Sequence, residues 1–160
     1  MVMSATALAA AAMCMVQDAH YTLRHLDGVT MSFREMTVTR DWPAGLAAVI
    51  HFKESGRDYY FLPWNGGTDD RQNLAYTTDV TKPGYTLPSP DGGPGRLGDM
   101  VYLATNADYD MIDHAPTRGE PAPAHILLPD LTEITWYHDP MARDGVAKEF
   151  FDLDGCSAKK

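Results

Sequence analysis

From Tyr21 to Leu62 the chain alternates apolar and polar residues with a period of two, interrupted by turn formers, and this pattern restricts it to antiparallel hairpins. Tyr21–Leu26 and Val29–Phe33 flank Asp27-Gly28, the dipeptide that suits a two-residue type I′ turn. Pairing outward from that turn sets Leu26 across from Val29 and Thr22 across from Phe33. Leu26, Val29, Met31 and Phe33 then share a core face. The parity slips at Met36 and Val38, which calls for a bulge near Arg34-Glu35. A second hairpin follows: Leu46, Ala48, Ile50 and Phe52 alternate, Glu54–Arg57 turns, and Asp58–Leu62 returns until Pro63 ends it.

Beyond this point Thr68, before Asp69-Asp70, reads as an N-cap opening a short helix to about Tyr76. Four prolines and four glycines in the fourteen residues 82–95 forbid regular structure there. Further strands are expected over 98–105, 124–128 and 131–138, with loops over 106–114 and 116–123. A last short helix opens at Asp139-Pro140, and a flexible tail begins at about 154. The sum is a mainly β, single-domain chain over 20–160: an antiparallel β-sandwich or partly closed barrel with two short helices and long loops.

The first nineteen residues form a separate unit. Ala5–Val16 is an apolar run of 12 residues broken only by Thr6. As a helix it reaches about 18 Å, short of a hydrocarbon core of about 30 Å, so it is no transmembrane segment. Its small residues fit an export leader, with cleavage after Ala12 or Ala19, although no Lys or Arg precedes it. This predicts a periplasmic or secreted protein. The alternative is an Ala- and Met-rich helix packed on a cytoplasmic domain. A lipid anchor at Cys14 would need a small residue where Met13 stands. Cleavage at Ala19 would leave Cys156 alone as an inert or interchain thiol, whereas a retained N-terminus leaves a Cys14–Cys156 bridge open.

Thirteen Lys and Arg against 22 Asp and Glu give a net charge of −9, which lacks the basic footprint of a nucleic-acid binder. No nucleophile motif or phosphate loop is present. The densest polar cluster is Asn106, Asp108, Asp110 and Asp113 with His114. Its alternate oxygens suit a Ca²⁺ loop, or, with His114 or His138, a metal-dependent hydrolase. The competing reading is a capped turn, and no cofactor other than calcium is suggested. Trp64, Asn65, Tyr60 and Tyr85 lie at strand-to-loop transitions, where aromatic rings meet ligands. They make a binding module for a glycan, small molecule or protein the leading expectation, with a structural or assembly subunit as a third.

Overall fold

The computed structural model describes residues 13–66 and 71–157. Ten strands form one antiparallel sheet: β1 Ala19–Leu23, β2 Leu26–Glu35, β3 Leu46–Phe52, β4 Arg57–Gly66, β5 Arg71–Thr77, β6 Gly98–Val101, β7 Leu103–Thr105, β8 Met111–Ile112, β9 His125–Leu127 and β10 Phe150–Cys156. Their spatial order is β6-β5-β4-β3-β2-β1-β10-β9-β7-β8. β6 and β7 are separated only by Tyr102, so the segment Gly98–Thr105 pairs with β5 through its first half and with β9 through its second. The sheet thereby curls into a half-barrel whose distant strands meet on one stretch of chain. Among the described residues no helix is long and apolar enough to cross a membrane.

The interior is built from every second residue. Tyr21 and Leu23 of β1, Val29, Met31 and Phe33 of β2, Leu46, Ala48, Ile50 and Phe52 of β3, and Tyr59 and Phe61 of β4 all face it. Leu74, Met100, Tyr102, Ala104, Ile126 and Phe151 complete it. A smaller cluster lies on the outer face: Trp42, Ala47, Leu62 and Ala75, with Met36, Trp64, Val80 and Leu87 packed against them. The Pro/Gly loop supplies Leu87, and its Pro88 carbonyl accepts the Trp42 indole N–H at 2.9 Å. β3 to β5 are therefore buried on both faces.

Several local expectations are corrected. The first hairpin turns at Arg24-His25, with His25 at φ +63°, instead of at Asp27-Gly28. Tyr21 pairs with Met31 and Leu23 with Leu26. This three-residue change of register sends Tyr21 and Leu23 inward, both 1% exposed, and releases Leu26 to 38%. Burying two large side chains outweighs a favourable turn dipeptide. Pro63 does not end β4, because it lies beyond Phe61, the last residue paired to β3, and removes no bond from that ladder.

Neither expected helix forms. Residues 71–77 are strand, hydrogen-bonded to β4 and β6 at once, while the proposed cap at Thr68 lies outside the described residues. Asp139 does cap a turn, accepting from Met141 N at 2.9 Å, but no helix follows. Helical geometry occurs instead in a 3-10 turn, Val16–Asp18, and a π-helical turn, Glu133–Tyr137, where a strand was expected. Leu131, Ile134 and Thr135, three and four apart, are buried there, which is helical spacing. The expected tail is β10 as far as Cys156, paired between β1 and β9.

The chain ends are tied together. Cys14 and Cys156 form a disulfide with Cα atoms 5.8 Å apart and a sequence separation of 142. The sulfur of Cys14 is thus unavailable for a lipid anchor. The strap Cys14–Asp18 adds backbone bonds: Ala122 N donates to Cys14 O at 2.8 Å, Val16 N to Glu120 O at 3.0 Å, and Ser157 N to Asp18 O at 2.7 Å.

On the outer side of β1, β10 and β9, Arg24 donates to both oxygens of Asp152 at 2.8 and 2.7 Å, and the His125 ring lies 2.6 Å from the same carboxylate. Tyr109, in the left-handed region at φ +65°, stacks on His125 with ring centroids 4.3 Å apart and receives an Arg24 N–H at 2.9 Å. Arg24 holds the Asp152 carboxyl below its ordinary value, against the opposing effect of burial, and His125 lowers it further.

Two outcomes follow from these ties. Replacing both cysteines, Cys14→Ser with Cys156→Ser, is expected to lower unfolding stability by about 2–5 kcal/mol in urea titration while leaving the far-UV signature of the sheet. A depressed folded pKa gives stability that is complete above the unfolded aspartate value and lost as pH falls through the folded one. Asp152→Asn is therefore expected to destabilise the protein at about pH 7, with the difference from the parent narrowing as pH falls below the unfolded aspartate value, read from denaturant midpoints at each pH.

Candidate functional site

At the end of the half-barrel where β1 begins, the strap meets the proline-rich segment 112–123. Together they enclose a pocket of about 350 Å³ lined by Val16, Tyr102, Ile112, His114, Pro116, Glu120, Pro121 and Pro123. Three prolines fix φ along this wall. The wall is also tied at separate points: Arg118 N to Ala44 O at 2.9 Å, Gly119 N to the Gln17 side-chain oxygen at 2.9 Å, and the Tyr21 hydroxyl to Pro123 O at 3.0 Å. Gly119 has φ +89°, a conformation that disfavours side chains. Asn65 fastens the loop to β4, its Oδ1 accepting Ala115 N at 2.8 Å.

Tyr102 dominates the pocket's chemistry. It follows Met100 and precedes Ala104 in the inward parity and is 1% exposed. Its hydroxyl is one of three buried side-chain atoms, with Arg96 Nε and Thr135 Oγ1, that have no hydrogen-bond partner among the described residues. Burial pushes its pKa well above the ordinary tyrosine value, and the charges of Tyr21 and Glu120 push the same way. The hydroxyl is a neutral, buried group of a pocket-lining residue, able to donate one hydrogen bond and accept another. At the rim, His114 and Glu120 pair at 2.9 Å, 51% and 38% exposed. The site combines an apolar body, one buried polar group and an exposed polar rim.

The residues singled out from sequence are distributed differently. Trp64 is half-buried, donates to Asp99 at 3.3 Å and carries the Arg96 guanidinium 5.2 Å from its ring centre. It lies on Gly66, where a Cβ would come within 2.0 Å of the ring. Arg96 is shared with Trp42, at 5.7 Å, and pairs with Asp99 at 2.7 Å. Tyr60 and Tyr85 meet at Thr77: Tyr60 is its register partner, and the Tyr85 hydroxyl is 3.0 Å from its Oγ1. Trp64, Tyr60 and Tyr85 thus belong to the packed outer face, and Asn65 alone reaches the pocket's loop.

Asn106, Asp108 and Asp110 form the β7–β8 turn. Asn106 Oδ1 accepts Asp108 N at 2.9 Å and Asp110 N at 3.0 Å, and its Nδ2 donates to Asp110 at 3.1 Å. The calcium-loop spacing is therefore that of a capped turn in which the amide oxygen is already engaged. Asp113 lies past β8 and is exposed. His138 packs edge-on against Tyr76 with ring centres 5.2 Å apart. Among the described residues no three His, Cys, Asp or Glu side chains group as metal ligands would.

The sequence reading passed over Tyr102, Val16, Glu120 and Pro123. The alternation Met100, Tyr102, Ala104 signals an inward tyrosine, but its lack of a partner depends on chain segments far away in sequence. Compared with family models, curated proteins and solved structures, the chain matches none.

Proposed function

We propose that this protein is a small-molecule binding module, and that its ligand is a mainly apolar molecule with one polar group seated against Tyr102. The observation that carries this reading is the unpartnered Tyr102 hydroxyl beside a preformed apolar pocket. Leaving a buried hydroxyl unsatisfied costs about 1–3 kcal/mol, which phenylalanine would avoid at nearly the same volume. A ligand oxygen or nitrogen that meets the hydroxyl recovers this energy on binding. A volume of about 350 Å³ suits a ligand of modest size, within the general range for ligand cavities. His114 and Glu120 give its outer end a choice of donor and acceptor.

The protein works, on this reading, in an oxidising compartment, periplasmic or extracellular. The Cys14–Cys156 disulfide supports that placement, since such bridges persist outside the reducing cytosol. A leader cut after Ala19 would remove Cys14 and Val16, and with them the bridge and one pocket wall. Cleavage after Ala12 keeps both.

N-Phenyl-1-naphthylamine, an apolar amine with a single N–H, is a suitable probe. Its fluorescence is expected to rise on binding, and Ile112→Trp, which fills the pocket, is expected to abolish that rise. Tyr102→Phe is expected to raise the unfolding free energy of the unliganded protein by about 1–3 kcal/mol and to weaken the probe about tenfold. Equal affinity in both variants would overturn the assignment. Intact-mass measurement of exported protein is expected to place the first residue no later than Cys14, and a chain starting at His20 would refute the retained strap.

A further inference from the structure

The opposite end of the half-barrel carries a second, chemically different recess. There the β1–β2 and β3–β4 turns face the segment that follows the π-helical turn, enclosing about 420 Å³. Glu54, Ser55, Arg57, Trp136, Arg143 and Asp144 contribute its polar and aromatic lining.

Three observations separate this recess from ordinary surface. The first is the state of the indoles. Trp42 donates its N–H to Pro88 O and Trp64 to Asp99, whereas Trp136 is 37% exposed and its N–H has no partner among the described residues. The second is the state of the arginines. Arg143, like Arg34, Arg40 and Arg118, has no ion-pair partner among the described residues, but it alone of these four lies over an aromatic ring, 5.6 Å from the centre of the Trp136 indole. The third is the backbone. Trp136 stands in the π-helical turn Glu133–Tyr137, a rare geometry enriched at functional sites. That turn is pinned by Asp144 N donating to Thr135 O at 2.8 Å.

We propose that this recess binds a saccharide. The indole offers a flat face for the C–H surface of a sugar ring, and its N–H remains free for a hydroxyl. Arg143 and Ser55 supply donors, and Glu54 supplies a carboxylate acceptor. Asp144, 7% exposed, is held by Arg57 at 3.1 Å and by the Tyr59 hydroxyl at 2.7 Å, so it stays fixed as a second carboxylate of the lining. Hydroxyl groups both donate and accept, and they suit a lining that mixes guanidinium and carboxylate. Glu54 and Asp144 against Arg57 and Arg143 leave the lining balanced in charge, which suits a neutral ligand. The inference stands apart from the apolar pocket, since the two sites share no lining residue.

The test is a titration of uniformly 15N-labelled full-length protein with maltose, cellobiose and chitobiose, followed at the three tryptophan indole N–H resonances. The expected result is a saturable shift of Trp136 with at least one disaccharide, at a Kd of about 1 mM, while Trp42 and Trp64 stay in place. Trp136→Ala is expected to abolish binding, read on backbone amides of residues 53–57, and Arg143→Ala to weaken it about tenfold. Both side chains are exposed or line an open recess, and an unchanged β-sheet spectrum checks the fold of each variant. No shift with any of the three sugars at about 20 mM, or amide shifts that survive Trp136→Ala, would overturn the proposal.

Discussion

The pairing of one strand segment with two distant partners governs this structure. Gly98–Thr105 must satisfy β5 over its first half and β9 over its second, and Tyr102 sits where the pairing changes hands. Its own N–H is kept by Gln72 O at 3.0 Å, so the transfer leaves the backbone satisfied. The side chain is forced inward by parity. Burying a tyrosine ring removes about 150–250 Å² from water, worth about 4–6 kcal/mol, against about 1–3 kcal/mol for a hydroxyl left without a partner. The ring decides the outcome, and the hydroxyl of this pocket-lining residue is left buried without a partner among the described residues. Closure of the sheet and the chemistry of the candidate site thus meet in one residue.

The two ends of the half-barrel are closed by different means. At one end a strap and a proline-rich wall are joined by backbone hydrogen bonds and by the disulfide, which links Cys14 to the last residue of β10. At the other end the π-helical turn inserts Ile134 and Thr135 into the core, and Tyr59 and Arg57 bind Asp144 across from it. The first arrangement encloses an apolar space, while the second leaves a polar recess in which aromatic and charged groups stay accessible.

What could be read from sequence was what depends on parity. The mainly β class, the inward faces of Val29, Met31 and Phe33 and of β3, and a turn expected at 54–57 and found one residue earlier at 53–56 all follow from period-two alternation with turn residues between. Three kinds of feature escaped it. Residues 71–77 are buried on both faces, so alternation vanishes and a cap-like Thr68-Asp69-Asp70 invites a helix. The first turn was misplaced because Asp-Gly is a local signal, whereas burial of Tyr21 and Leu23 is collective. Of the aromatics singled out, Tyr60 and Tyr85 come together at Thr77, while Trp64 packs with the outer cluster to which Leu87 belongs and shares Arg96 with Trp42, an arrangement set by contacts distant in sequence. The pocket itself is formed by residues 16, 102 and 112–123, a constellation that no single window of sequence contains.

Charge placement shows the same division between structure and site. The chain has 13 basic residues for 22 acidic ones, and several of its arginines act as staples. Arg24 binds β1 to Asp152 of β10, Arg57 binds β4 to Asp144 of the end segment, and Arg96 joins the outer loop to Asp99 of β6. Asp152 and Asp144 are partly and largely shielded, where an ion pair gains more than it would in open water. Their pairs span elements distant in sequence and favour the folded arrangement, whereas Arg96–Asp99 is a local pair three residues apart. A guanidinium outside that pattern has no such role in the sheet. Arg143 instead lies over the exposed Trp136 indole, outside the core cluster.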